Sequence, residues 1–284
     1  DADVLPLSQA HEGGSVTERH ILFALTGKIL AVTGRGQPAL DFLEQKLGLS
    51  PGDKLRGHLS DPANPHYDYD LLGLLKSSLV SRFYIDAAEE CPPVQTAVDF
   101  AGSVGAVAAY AYLGDVGDSV TGDKRAQKFE DGFIDQLFAF LKDTGFNAVT
   151  YMPSRNTSAQ LSRVRKLCAE LELFEISGED INSSRQSFIC MAQRAPQFAH
   201  LYDAAWALIG HENAATQSLS EGMFSRRTVE AHPSLTERVA LTSSAPMVHS
   251  IRLVTEWARE TTSDGKRVID QEWVQALLGR AHAR

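Results

Sequence analysis

The residues best suited to chemistry lie in two polar loops near the middle of the chain. The first loop, 152–156, contains Arg155, whose guanidinium can hold a phosphate or carboxylate through two parallel hydrogen bonds. The second loop, 178–182, contains Asp180, whose carboxylate could hold a metal ion that polarises a phosphoryl oxygen and acidifies water. The alternatives are a salt bridge from Arg155 to Asp180 or Glu179, and a helix-capping or solvated role for Asp180.

Alternating strands and helices are predicted to position these loops. Strand 147–151 precedes the first loop, and strand 173–177 precedes the second. Helix 158–171 lies between them and opens with a capping box, in which Thr157 is followed three residues later by Gln160. Because parallel strands joined by crossover helices end at the same edge of a sheet, both loops are expected at that edge.

The two loops resemble motifs of the PHP superfamily, the polymerase and histidinol phosphatase class of metal-dependent phosphoesterases. Residues 151–155, YMPSR, are similar to the family's Y-x-P-x-H-T, and residues 178–182, GEDIN, are similar to its G-S-D-x-H. In this match Arg155 and Asn182 stand where the family has histidines, and Asp180 is the metal ligand retained.

Two further segments extend the resemblance. Residues 107–114 are similar to a family strand that ends in A-H-P, with Tyr112 at the histidine position. Residues 18–22, ERHIL, are similar to the family's H-I-L-G-Y strand, and the resemblance makes His20 a retained metal ligand. The apolar spacing by itself fits a helix over 17–48, and His20 would then be a histidine on a helix face.

The resemblance and the element pattern together predict an α/β fold. We expect a single PHP-like domain over 1–284, a distorted, TIM-like (β/α) barrel. Strands and helices alternate from Pro92 onward, and further strands are predicted at 106–112 and 204–209.

The rest of the chain is expected to decorate this barrel. Residues of about 30–90 are interpreted as a helical insertion, and about 213–284 as a helical tail. Family members begin with a strand ending in H-x-H. That motif does not occur before residue 100, so the N-terminal strands are expected to be missing from this chain.

The resemblance implies a metal-dependent hydrolase that acts on a phosphorylated or other anionic small molecule, with Zn, Mn or Fe as the divalent metal ion. The alternative is a metal-poor relative that binds an anionic ligand or catalyses a non-hydrolytic reaction. The replacement of family histidines by Tyr112, Arg155 and Asn182 favours this alternative.

The candidate site residues fall into three groups by expected role. The catalytic candidates are Asp180, Asp115 and His211; the substrate-binding candidates are Arg155, Tyr112, Arg185 and Asn182; the implied metal ligands are His20, Asp180 and Glu179. We expect Tyr112, Asp115, Arg155, Asp180 and His211 to share one cleft. Like Arg155 and Asp180, two more of these have structural alternatives, since Asp115 lies in a glycine- and aspartate-rich stretch typical of a turn, and His211 could have a structural role.

The composition and net charge of the chain limit the kinds of partner that are expected. The 284 residues carry a net charge of −9, which disfavours a nucleic-acid backbone as a partner. No apolar run approaches the ~20 residues that span a bilayer, so no membrane partner is expected. The three cysteines form no CxxC pair, and a reducing cytoplasm is the default. The oligomeric state stays open.

Overall fold

The chain divides into two compact units, each with hydrophobic clusters of its own. Unit 1 comprises Asp1–Cys91, Asp118–Ala126 and Ile181–Ile189, and unit 2 comprises Pro92–Gly117, Gln127–Asp180 and Cys190–Arg284. The computed structural model describes residues 2–85, 88–115, 128–180, 184–185, 190–245, 248 and 251.

In its described residues, unit 1 contains helices and no strand. Its helices are α1 (Leu5–Ser8), α2 (Glu18–Thr33), α3 (Gln37–Leu47), α4 (Asp53–Ser60) and α5 (Tyr67–Phe83). A leucine-rich core packs α2 to α5 together and includes Leu22, Leu40, Leu43, Leu59 and Leu71, all nearly inaccessible to solvent. The helices expected from the apolar spacing in this part of the sequence are confirmed.

Unit 2 is built on a parallel sheet of three strands in the order β1-β2-β3. The strands are β1 (Ala109–Ala111), β2 (Ala148–Tyr151) and β3 (Phe174–Ser177). Helix α6 (Val94–Ser103) precedes β1, α7 (Ile134–Thr144) connects β1 to β2, and α8 (Ser158–Leu171) connects β2 to β3. The parallel strand-helix-strand pattern predicted for this segment is confirmed.

The described part of unit 2 also contains α9 (Ala199–Gln217), α10 (Arg226–Ala231) and α11 (Leu235–Ser243). Side chains alternate along the strands, so the sheet has two buried faces. Val149 packs with α7 and α8 on one face, and Phe174 packs with α9 and α11 on the other. Within the described ranges, no helix is both long and apolar enough to cross a membrane.

The predicted barrel is wrong, because the sheet formed by the described residues is open and has three strands. Residues 204–209 were expected to form a further strand but lie inside α9. The buried residues Leu201, Ala204 and Ala207 recur every third position, which places them on one face of a helix. A short apolar run cannot be assigned to strand or helix from its composition alone.

The family-like strand at 18–22 is also wrong, because these residues begin α2. Thr17 and His20 form a capping box at the start of this helix. The Nδ1 atom of His20 accepts a hydrogen bond from the Thr17 backbone N–H at 3.0 Å. The capping geometry therefore explains why a histidine stands at this position.

Candidate functional site

The carboxyl ends of the three strands form the candidate site, and Asn156 ties two of them together. Its amide Oδ1 accepts a hydrogen bond from the Met152 backbone N–H at 3.0 Å and so closes the loop after β2. Its Nδ2 donates to the backbone carbonyl of Leu113, just past β1, at 2.8 Å. The side chain is nearly buried, so this loop is fixed against the end of β1.

Glu179 fixes the same loop against the end of β3. One carboxylate oxygen accepts a hydrogen bond from the Ser154 backbone N–H at 2.7 Å, and the other accepts one from the Ser154 hydroxyl at 2.6 Å. Asp180 follows at an exposed position. Arg155 therefore lies between two residues that are each anchored to a neighbouring strand end.

The guanidinium of Arg155 is the unusual group of this edge. Its Nε and Nη2 atoms are enclosed and have no hydrogen-bond partner. It forms no ion pair with any residue that the structure describes, so the expected alternative, a salt bridge to Glu179, is not formed. An enclosed donor without an acceptor costs about 1–3 kcal/mol, and more for a charged group, so such a group calls for an explanation.

Two carboxylates, Glu130 and Asp131, accept hydrogen bonds from the residues that directly follow β1. Glu130 accepts a hydrogen bond from the Tyr110 hydroxyl at 2.5 Å and from the backbone N–H groups of Leu113 and Gly114 at 3.0 and 2.6 Å. Burial raises the pKa of the Tyr110 phenol, and the adjacent Glu130 raises it further. The phenol is therefore a fixed donor that holds the Glu130 carboxylate in place.

Asp131 is held in the same way by Tyr112. The Tyr112 hydroxyl donates to Asp131 at 2.5 Å, and Gln160 Nε2 donates to the other carboxylate oxygen at 2.7 Å. Burial raises the pKa of the Tyr112 phenol first, and its bond to Asp131 adds to the shift. Tyr112 is almost completely buried, so its hydroxyl is committed to Asp131 and the substrate-binding role predicted for it is not favoured.

Asp115 links the end of β1 to the residues that precede α7. Its Oδ1 accepts hydrogen bonds from the backbone N–H groups of Phe129 and Asp131 at 2.7 and 3.3 Å. Gly114 has φ +69°, and a Cβ there would lie 2.7 Å from the Asn156 amide nitrogen, so glycine is required. These bonds give Asp115 a structural role and give its catalytic role no support. The stretch expected to form a turn continues from Asp115 into residues that lie outside the described ranges.

A second polar cluster lies on the sheet face beneath this edge. The Tyr151 hydroxyl donates to Glu175 Oε2 at 2.7 Å and lies 2.8 Å from His200 Nε2. Burial raises the pKa of the Tyr151 phenol, as does Glu175, so the phenol keeps its single proton and gives it to Glu175. His200 Nε2 therefore faces two oxygens, the Tyr151 hydroxyl and Glu175 Oε2.

Glu175 is the acceptor at the centre of this cluster. His200 Nε2 lies 3.3 Å and Arg165 Nε 3.4 Å from its Oε2 atom. Burial would raise the pKa of the Glu175 carboxyl, but the hydrogen bonds from His200 and Tyr151 outweigh burial, and the pKa is lowered. The cluster is an ionic network within unit 2, in which Arg165 Nε forms an ion pair with Glu175 but no hydrogen bond.

His211 does not join the candidate site. It lies in α9, where its Nδ1 accepts from the Met223 backbone N–H and its Nε2 contacts the Gly105 carbonyl, both at 2.9 Å. Gly105 precedes β1, so His211 lies at the amino end of the sheet. Burial lowers the pKa of its imidazole. Both ring nitrogens contact backbone groups of the protein, so His211 has a structural role. The prediction of one cleft that includes His211 is therefore wrong.

Two other expected site residues belong to unit 1. His20 caps α2, as described above, and Arg185 pairs with the buried carboxylate of Asp70. Asn182 lies outside the described residues. The described part of the chain contains no group of three or more His, Cys, Asp or Glu side chains that could hold a metal ion. The expected divalent metal site thus has no supporting donor set there.

Sequence reasoning missed several residues that build this edge. Ser154, Asn156, Glu130 and Asp131 were not assigned a role, although Ser154 and Asn156 flank Arg155 directly. Cys190 was also overlooked. Burial raises the pKa of its thiol. The backbone N–H of Gln193 lowers this pKa, and the neighbouring Glu179 carboxylate raises it. The Ser154–Glu179 contact spans 25 positions, and no local pattern reveals such a pair.

Comparisons with known proteins give little further guidance. No family model matches the chain, and no solved structure matches it. A stretch of 49 residues is 53% identical to the acyl-CoA dehydrogenase FadE26 of Mycobacterium tuberculosis, and the match covers 17% of this chain and 12% of that protein. The matched stretch therefore spans about an eighth of the length of that acyl-CoA dehydrogenase.

Proposed function

We propose that the carboxyl edge of the sheet in unit 2 binds a small anionic ligand on Arg155. The observation that carries the proposal is the enclosed guanidinium, whose Nε and Nη2 atoms have no partner. A carboxylate or phosphate oxygen would supply the missing acceptors. The planar guanidinium matches such groups through two parallel hydrogen bonds.

The position of Arg155 in the fold supports the same proposal. Open parallel sheets bind ligands in the crevice outside the carboxyl ends of their strands. Arg155 also lies two residues before Thr157, the N-cap of α8, and the start of a helix favours negative charge. Ser154 and Asn156 hold the loop through Glu179 and Leu113, so the guanidinium is carried by a fixed backbone.

The proposal concerns binding, and it assigns no hydrolytic step. Metal-assisted hydrolysis needs a donor set for the metal, and the described residues do not supply one. The partial similarity to an acyl-CoA dehydrogenase does not extend to an activity, because 12% of that protein is covered. We also infer a reducing compartment, supported by free Cys91, Cys168 and Cys190.

The test is a titration of the wild-type chain, Arg155→Gln and Arg155→Lys with acetate and with inorganic phosphate, followed by calorimetry or NMR. We expect saturable binding to the wild type that is lost in Arg155→Gln. Lysine keeps the charge but not the fork, so Arg155→Lys should bind about tenfold to a hundredfold more weakly, which corresponds to ~1.5–3 kcal/mol.

Arg226→Gln is the matched control, since Arg226 is an exposed arginine of unit 2 that pairs with Glu230 on its own helix. It should bind as the wild type does. If all four proteins bind each anion equally, or none binds, Arg155 has no ligand role and the proposal fails.

A further inference from the structure

The electrostatic setting of Arg155 bears on the charge of its ligand. Besides the exposed Asp180, four carboxylates lie at the described loops of this edge: Asp115, Glu130, Asp131 and Glu179. Their oxygens accept hydrogen bonds from backbone N–H, amide or hydroxyl donors, which is how an ionised carboxylate bonds. None of the four forms an ion pair with a basic side chain in the described ranges.

These carboxylates lie on both sides of the Arg155 loop. Glu179 is bonded to the residue before Arg155. Gln160, in the first turn of the helix that follows, is bonded to Asp131. Asn156 is bonded to Leu113, whose own N–H is bonded to Glu130. Arg163 also reaches this edge, where it donates to the Asp131 main-chain carbonyl, but it is paired with Asp135. Within the described residues, Arg155 is thus an unpaired positive charge among several negative ones.

From this arrangement we propose that the ligand bound at Arg155 is a singly charged oxyanion, a carboxylate or a phosphodiester, and that the site discriminates against doubly charged phosphomonoesters. The inference rests on the function proposed above and names its ligand class. One negative charge is matched by the guanidinium. A second negative charge gains little from the same cation and is repelled by every carboxylate of the edge.

The resulting order of affinities differs from that of a site built for phosphomonoesters. Such sites surround a dianion with several cations or backbone N–H groups. Here the backbone N–H groups of Leu113, Gly114 and Ser154 already bind protein carboxylates. They are therefore unavailable to a phosphate.

The experiment uses dimethyl phosphate and methyl phosphate, which share their phosphorus chemistry and differ in charge, together with acetate. At about pH 8 methyl phosphate is a dianion, because its second pKa is ~6. The full chain should bind acetate and dimethyl phosphate, and should bind methyl phosphate at least about tenfold more weakly, or ~1.4 kcal/mol. Arg155→Gln should lose all three.

Glu179→Gln tests the cause, because it removes one negative charge while an amide oxygen can still accept from the Ser154 N–H. It should narrow the difference between the two phosphates severalfold. The control Glu230→Gln, at an exposed carboxylate of α10, should leave that difference unchanged.

The outcomes separate the two proposals. If methyl phosphate binds as tightly as dimethyl phosphate, or more tightly, and both depend on Arg155, the charge inference is overturned while ligand binding stands. An unchanged ratio in Glu179→Gln also overturns the inference. If no anion shows binding that depends on Arg155, both the proposed function and the inference about ligand charge are wrong.

Discussion

Two arginines of this protein, Arg185 in unit 1 and Arg155 in unit 2, were expected from the sequence to hold an anion. The structure gives them opposite surroundings. Arg185 donates from Nε to Asp70 Oδ1 at 3.1 Å and from Nη2 to Asp70 Oδ2 at 2.5 Å, a bidentate pair. Arg155 has two enclosed guanidinium nitrogens without a partner.

The carboxylate that Arg185 binds is part of the core of unit 1. Asp70 is 6% exposed and also accepts from Asn64 Nδ2 at 2.7 Å. Burial would raise the pKa of the Asp70 carboxyl, but hydrogen bonds from Arg185 and Asn64 outweigh burial, and the pKa is lowered. The anion of Arg185 is thus supplied by the protein, and this side chain has a structural role.

The comparison shows that the same residue type in a polar loop can be structural or functional, depending on which groups satisfy it. A guanidinium whose acceptors belong to the protein stabilises the fold. A guanidinium whose acceptors are missing lowers stability and is retained at a cost. The two arginines should therefore respond in opposite ways to removal.

The largest expected effect is that of Arg185→Ala. Removing this partner leaves the buried Asp70 carboxylate with only Asn64 and His58 beside it, which should lower the free energy of unfolding by about 1.5–3 kcal/mol, the range for hydrogen bonds to charged groups. Urea denaturation followed by circular dichroism measures the change. The exposed control Arg226→Ala should change it by less than about 0.5 kcal/mol. A similar small change in both variants would mean that the Asp70 pair does not stabilise unit 1.

A smaller effect is expected from acid. The pKa values of Asp70 and Glu175 are both lowered in the folded state. The stability they contribute is therefore complete above the ordinary carboxyl pKa of ~4 and is lost as the pH falls through the folded values. Urea midpoints at about pH 7 and pH 3 measure the loss.

The variant Asp70→Asn gives the control for that pH dependence. It should be less stable than the wild type at neutral pH and should show a shallower loss of stability in acid. An identical pH dependence in the two proteins would contradict the assignment of Asp70 as a titrating partner of Arg185.

The smallest expected change in stability is that of Arg155→Gln. No protein partner is lost, and an enclosed unpaired cation is removed, so the free energy of unfolding should stay constant or rise by up to about 1 kcal/mol. The same urea titrations measure it. A loss of more than about 1.5 kcal/mol would show that Arg155 stabilises the fold, and the contrast with Arg185 would disappear.

Much of the sheet could be predicted from the sequence, because its signals are local. The start of helix α8 is indicated by the capping box of Thr157 and Gln160. The three strands are indicated by short apolar segments between polar loops. The helix at 204–209 was mistaken for a strand, because a continuous apolar run fits either structure. The barrel prediction is wrong for a related reason: a closed barrel needs more strands than the described residues contain.

The site could be predicted in part. Arg155 and Glu179 follow strand ends, and that placement is visible in the sequence. The partners of Tyr112 and Arg185 are not visible in the sequence. Asp131 lies 19 positions from Tyr112, and Asp70 lies 115 positions from Arg185. His20 and His211 were assigned from residue type, while a helix cap and a buried packing contact determine their roles.

The most direct test of the account is an NMR titration of the arginine side-chain Nε–H signals with acetate, using the full chain. Both arginines are then observed in one sample. We predict that the Arg155 signal shifts saturably while the Arg185 signal, whose acceptor is Asp70, stays constant. A constant Arg155 signal, or an Arg185 signal that shifts with it, would contradict the assignment of Arg155 as the ligand-binding arginine.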